Sequence, residues 1–228
     1  MAMTLEKVVP FGRSLDEYRR MFALSDADLS RNIVGVGDGP ASFNAEMHQL
    51  GKRVLSLDPV YVFHAAEIER QFHAVVDNIC AQVKATPDDW VWTYHRSPDA
   101  LRQSRTQTLQ KFLADYETGR KEGRYQIGEL PKLALTDASF DLALCSHFLF
   151  LYSAHFSYEF HRDAVFEMLR VAKEVRLFPL LTLAKERSAY VDPLCTALKS
   201  AGYVARVEKV DFELQKGGNE MLRVVREG

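Results

Sequence analysis

The sequence predicts an α/β fold: a seven-stranded, doubly wound, mostly parallel sheet with an antiparallel C-terminal hairpin and a helical insertion after strand 2. Three observations carry this. Short apolar runs alternate with amphipathic helical stretches along most of the chain, the pattern of a parallel sheet with crossover helices. A glycine-rich turn, VGVGDGPASFN at 34–44, stands between the first such run and the helix after it. The last two runs are joined by Gly217-Gly218-Asn219, a tight turn that makes them antiparallel neighbours.

The elements follow in order. Ser14-Leu15-Asp16-Glu17 has the form of a capping box and opens an N-terminal helix at 14–24, with Leu15, Tyr18 and Phe22 on its apolar face. Asn32 to Val36 reads as strand 1, and Phe43, Met47 and Leu50 mark a helix that stops at Gly51. Arg53 to Leu57 is strand 2, ending at Asp58-Pro59. Ile68, Phe72, Val75, Val76, Ile79 and Val83 then form a helical stripe. Thr86-Pro87-Asp88-Asp89 and Ser97-Pro98-Asp99 each resemble a helix start, with a cap, a proline and acids in the first turn.

The span from 60 to 124 is too long for one crossover helix, so an inserted helical element is expected at about 86–122, serving as a lid or subunit contact. Tyr125 to Ile127 and Phe140 to Cys145 are strands 3 and 4, with a helix near 161–172 after them. Glu174 to Leu183 is a nearly continuous apolar run, as buried parallel strands are, and reads as strand 5. A helix with Tyr190, Leu194 and Leu198 leads to the terminal strands, Val204 to Val210 and Glu220 to Val225.

Composition narrows the class. The 228 residues suffice for a single domain with a substantial core, 47 % are hydrophobic and 26 % charged, and the net charge is −2. That balance argues against a nucleic-acid or anionic-membrane partner. The opening stretch lacks the apolar segment of a signal peptide, and no run is long enough to span a bilayer. Three widely spaced cysteines without a CxxC motif fit reduced core thiols in a cytoplasmic protein.

The glycine turn carries the chemistry. Such a turn aims backbone N–H groups and a helix dipole at the C-terminal edge of the sheet, where ligands of open α/β sheets bind. Asp58 ends strand 2 with its carboxylate where a ribose diol can donate to it. The dinucleotide pattern GxGxxG fails, because its last position falls on Pro40 or Ser42. A ligand without a pyrophosphate fits better.

On these residues the chain resembles the class I S-adenosylmethionine-dependent methyltransferases over nearly all of 30–226. VGVGDGPASF is similar to their first motif, with Gly37 and Gly39 at its two central glycines, and SLD with Asp58 is similar to their ribose-binding acid. IGELPKLALTDASFDLALCSHFLF is similar to their third- and fourth-strand region. The phrases GPASFN, SHFLFLYS and EVRLFPLL resemble a bacterial branch of that family. The resemblance implies S-adenosyl-L-methionine as cofactor, held by Gly35, Val36, Gly37, Asp38, Gly39, Asp58, Pro59, Glu129, Leu130, Cys145 and Ser146. Three departures stand out: Gly35 replaces the acid that usually ends strand 1, Ala41 replaces a third glycine, and Ala134-Leu135 replaces a common Pro-Phe. Asp38 is placed to substitute for the acid missing at Gly35.

His147, at the end of strand 4, is the candidate general base for an acceptor that must lose a proton; the alternative is a histidine packed among Phe148, Leu149 and Phe150. His155, His161 and Glu159 lie near it, but their spacing matches no familiar metal pattern, and no metal site is expected. Trp90, Trp92 and Tyr94 alternate, so a strand there would line them up as a substrate platform or pin the insertion to the body. The family's Asn/Asp-Pro-Pro-Tyr signature of nucleic-acid methylation is absent. The leading function is methyl transfer to a small-molecule acceptor. The alternatives are a non-catalytic protein binding S-adenosylmethionine or S-adenosylhomocysteine, and an NAD(P)-dependent reductase.

Overall fold

The computed structural model describes residues 9–227. Seven strands form one sheet in the order β3-β2-β1-β4-β5-β7-β6. They are β1 Ile33–Val36, β2 Val54–Leu57, β3 Tyr125–Gln126, β4 Phe140–Ser146, β5 Ala172–Phe178, β6 Tyr203–Lys209 and β7 Glu220–Arg226. The first five are parallel to one another, and β7 runs antiparallel to both β5 and β6. Strand order reverses beside β1, which leads to β2 on one side and abuts β4 on the other, so a crevice opens at the C-terminal ends of β1 and β4.

The helices are α1 Leu15–Met21, α2 Phe43–Gln49, α3 Ala65–Ala85, α4 Pro98–Lys121, α5 Tyr158–Val171 and α6 Val191–Ser200. The capping box of α1 forms as expected, with Ser14 accepting from the Glu17 N–H and Glu17 accepting from the Ser14 N–H. Core packing divides over the faces of the sheet. Val34, Val36, Ala143 and Val175 join α5 and α6 in one cluster, and Ile33, Leu142 and Leu144 join Tyr18, Phe22, Phe43 and Met47 in another. This is the period-2 alternation of strands covered on both sides.

Two helices separate β2 from β3. The helix lying against β3 and α2 is α4, within the stretch expected as the insertion, and α3 packs on α4. Tyr61, Phe112, Tyr116 and Tyr125 form a stacked and tilted aromatic cluster that ties α4 to the edge strand. Ser97 caps α4 as expected, but Thr86-Pro87 starts only a short 3-10 turn, Pro87–Asp89, because the chain becomes extended at Trp90.

Other expectations are corrected in detail. The fifth strand begins at Ala172, directly at the end of α5, and stops at Phe178 instead of reaching Leu183, since Pro179 has no N–H for the ladder. Trp90, Trp92 and Tyr94 form no strand. Trp90 makes one bridge to Gln215, Trp92 packs near Ile79 and Val83, and Tyr94 packs on Phe212 and donates to Asp16 at 2.8 Å. Among the described residues no helix is long and apolar enough to cross a membrane.

A buried ionic cluster locks α1 to α4. Glu17 is fully buried, and Arg105 Nη1 lies 2.7 Å from its Oε1, with His95 Nε2 3.3 Å from the same oxygen. Burial alone would raise the Glu17 carboxyl, but Arg105 and His95 outweigh it and hold Glu17 well below the ordinary range. Removing one member of such a pair strands the other without solvent. Glu17→Gln is therefore expected to cost about 3–5 kcal/mol of stability, measurable as a fall in urea midpoint at pH 7.

Candidate functional site

The site begins with the turn after β1. Gly37 and Gly39 have φ of +72° and +55°, the left-handed region where only glycine is unstrained. A side chain at Gly37 would also press on the Phe148 ring, at 3.3 Å. The turn is pinned from β2: the Gly37 N–H donates to the Leu57 carbonyl at 2.8 Å, and the Gly39 N–H donates to Asp58 Oδ2 at 2.8 Å. The other Asp58 oxygen accepts from the Val60 N–H at 2.8 Å, and the Tyr61 hydroxyl donates to the Gly39 carbonyl at 2.7 Å.

Gly35 is explained by Asp38. A methyl group on Gly35 would overlap the Asp38 carboxylate, which folds back over that residue. There Asp38 accepts from the Tyr18 hydroxyl at 2.6 Å and from the Ser56 hydroxyl at 2.7 Å. The acid that resemblance placed at the end of strand 1 is thus matched in space by a carboxylate three residues later. Burial pushes both acids up to about 6, against Tyr18 and Ser56 at Asp38 and against two backbone N–H groups at Asp58.

A cavity of about 350 Å³ opens over this turn. Gly37, Asp38, Gly39, Asp58, Pro59, Ser146 and His147 line it together, bringing residues from three separate segments to one wall. Five other candidates stand away from that wall. Gly35 lies beneath Asp38, while Val36 and Cys145 turn into the core between the sheet and α5. Burial there pushes the Cys145 thiol up to about 12, so it is no thiolate. Leu130 packs into the same core, and Glu129 is exposed, with its backbone in an isolated bridge to Lys132. The chain turns immediately after β3, so neither reaches the cavity.

His147 closes β4 with φ +53°, an uncommon conformation for a residue with a side chain. Its N–H donates to the Phe178 carbonyl at 2.6 Å, and its Nδ1 lies 2.9 Å from Ser146 Oγ. Burial, with Arg13 and Arg105 nearby, holds the ring well below the usual histidine range, so it is neutral at pH 7. His161, by contrast, braces the fold, with Nδ1 and Nε2 each 2.8 Å from a carbonyl, of Ser157 and Leu149. No cluster of three metal-ligating side chains occurs among the described residues.

Trp90, offered by the sequence as part of a substrate platform, lines the cavity, but sequence reasoning missed much of the remaining lining. Phe11, Arg13, Arg105, Phe212 and Leu214 contribute to it, drawn from the segment before α1, from α4 and from the loop between β6 and β7. These residues are scattered over two hundred positions, and no local pattern marks them.

Comparison with known proteins places the chain. No family model matches it. It is 35 % identical over 225 residues to the uncharacterized protein MJ0045 of Methanocaldococcus jannaschii, covering 98 % of this chain and 99 % of that one. The chain belongs to the MJ0045 family. Among solved structures, the family member described here is similar to magnesium protoporphyrin IX methyltransferase from Synechocystis PCC 6803 with bound S-adenosylmethionine. That match has 15 % identity and a TM-score of 0.44, over 89 % of this chain and 73 % of that one. A second similar structure is an S-adenosylmethionine-dependent methyltransferase from Aquifex aeolicus, at 15 % identity and a TM-score of 0.39, over 86 % and 81 % of the two chains. The sheet order, with β7 inserted antiparallel between β5 and β6, is the seven-stranded α/β sheet with an antiparallel C-terminal hairpin that the sequence predicts.

The fit between Gly35 and Asp38 is testable. Gly35→Ala is expected to drive the Asp38 carboxylate off Tyr18 and Ser56 and to destabilise the protein by about 1–3 kcal/mol, as overpacking does. Chemical denaturation measures it, and an unchanged midpoint would show that Asp38 does not need that space.

Proposed function

We propose that the protein transfers a methyl group from S-adenosylmethionine to a small-molecule acceptor. The observation that carries this reading is the continuity of one cavity. It runs from the glycine turn and Asp58, through Ser146 and His147, to an apolar wall that includes Phe11 and Trp90. The residues fit the cofactor. The glycine turn leaves an open approach at Gly39, where a side chain would meet nothing nearer than Asp58 Oδ2 at 4.0 Å. Asp58 is fixed by the Gly39 and Val60 N–H groups and keeps lone pairs for ribose hydroxyls. Asp38 supplies the carboxylate for an ammonium group. Pro59, Val60 and Phe63 offer the apolar surface for a base, in place of Glu129 and Leu130.

When bound, the cofactor supplies an electrophilic methyl group on a sulfonium. The protein's part is to align the acceptor with it in a closed, largely apolar space, where positioning supplies much of the rate. His147 is neutral and keeps its Nδ1 near Ser146, which leaves Nε2 to take a proton from a hydroxyl or similar acceptor. The net charge of −2 and the mainly apolar cavity lining favour a small acceptor over nucleic acid. A non-catalytic binding protein is the second reading, favoured by how far the surroundings depress His147, since a very weak base accepts a proton poorly. The absence of a third glycine and of a pyrophosphate cradle argues against a reductase.

Calorimetry with S-adenosylhomocysteine tests the cofactor claim. Wild type is expected to bind, Asp58→Ala to bind at least about tenfold more weakly by loss of a charged hydrogen-bond acceptor, and NADH to give no heat. No heat or thermal shift with either sulfur nucleoside at millimolar concentration would sink the reading.

The pH dependence has a definite sign. Asp58 and Asp38, both raised to about 6 in the free protein, accept hydrogen bonds best when ionised. Affinity should therefore be constant above pH 7 and fall as pH drops through 6. Asp58→Asn should flatten most of that slope.

With an acceptor in hand, His147→Ala is expected to lower kcat by about 10²-fold or more and to leave cofactor affinity unchanged. Wild-type turnover in that variant would remove His147 as base.

A further inference from the structure

Within the cavity lining, charge is out of balance. Arg13 and Arg105 both line the cavity, and the carboxylate beside them, Glu17, is committed to Arg105 and His95. Arg13 donates through Nη1 to the Phe11 carbonyl, and no carboxylate among the described residues lies within ion-pair distance of it. The Nε atoms of both arginines are buried without a partner, and Arg105 as a whole is only 1 % exposed. Burial, followed by repulsion from Arg105, pulls Arg13 down to about 9, so it still carries its charge at pH 7. Asp38 and Asp58 offer no relief, being governed by burial, their own donors and each other. Arg13 is half-buried with its Nε out of solvent; such a charge without a counter-ion is unfavourable, and a guanidinium fork matches a carboxylate in shape and charge. Around the pair the wall is apolar: both guanidiniums lie over the Phe11 ring, at 6.0 Å and 5.8 Å, with Trp90, Leu183 and Phe212 beyond.

We infer that Arg13 and Arg105 form a carboxylate-binding subsite in the cavity, beside the Phe11 ring. The inference deepens the methyl-transfer reading and rests on it for the role of the bound carboxylate. That carboxylate belongs either to an apolar acceptor acid or to the amino-acid end of the cofactor. The subsite also bears on the base. Arg13 and Arg105 are, after burial, the influences that depress His147, so an anion between them relieves that depression and strengthens His147 as a proton acceptor.

Paired ligands separate the sources. One arm compares S-adenosylhomocysteine with methylthioadenosine, which lacks the amino-acid end; the other compares benzoate with benzamide and phenylacetate with its amide. Binding is measured by calorimetry on wild type, Arg13→Met and Arg13→Lys, with the folded state checked by circular dichroism. In at least one arm wild type should prefer the carboxylate at least tenfold, Arg13→Met should lose the preference, and Arg13→Lys should keep part of it. A preference in the aromatic arm assigns the subsite to the acceptor, and one confined to the nucleoside arm assigns it to the cofactor. The His147 ring, followed by NMR, should titrate at higher pH with the bound carboxylate than with its amide. No preference in either arm, or a preference undiminished in Arg13→Met, overturns the subsite. Failure of both nucleosides to bind wild type, with the aromatic preference intact, overturns the methyl-transfer reading and leaves the subsite standing.

Discussion

The contact on which the site depends is the fold-back of Asp38 over Gly35. A carboxylate in that position needs a residue without a side chain beneath it, and Gly35 provides the space. It needs donors because it is buried, and Tyr18 from α1 and Ser56 from β2 supply them. One side chain thereby fastens the first helix, the glycine turn and the second strand to each other. Asp58 repeats the device at the next position outward, holding the Gly39 and Val60 N–H groups on its two oxygens. The turn is held from both sides before any ligand arrives, which is how a binding site avoids the cost of ordering a loop.

Charge is distributed along the cavity in a way that suits a zwitterionic cofactor and an anionic group. Two acids stand at the glycine turn, and two guanidiniums on the same lining act on His147. These groups are withdrawn from bulk solvent, so each charge acts more strongly than at the surface. The same withdrawal explains why Asp38 and Asp58 sit high, Arg13 sits low and His147 is neutral. Burial is the first cause in all four, and the neighbours then set how far each moves.

Much of the fold was legible in the sequence because it is written locally. Strand, turn and helix alternation depends on periodicity and on glycine and proline punctuation within a few residues, and six of the seven strands fall close to their expected bounds. The fifth was read too long, since EVRLFPLLTL stays apolar past the proline that ends the ladder. Trp90, Trp92 and Tyr94 alternate without forming a strand for the related reason that alternation alone does not make a strand without a partner. Trp90 found one bridge at Gln215, and the chain then turned.

The sequence alone therefore determined the α/β sheet, the antiparallel hairpin at its end, the glycine turn and the pairing of that turn with Asp58, all of which follow from short-range pattern. Only the tertiary structure decided that Gly35 makes room for Asp38, because that depends on the path of the turn. It alone joined Glu17 to Arg105 and set Arg13 beside them, since those contacts bridge up to 88 positions of chain and leave no periodic trace. It also separated Glu129, Leu130 and Cys145 from the cavity. A position along a strand or loop says which residue is near, but the direction of its side chain is fixed by what the rest of the molecule packs against it.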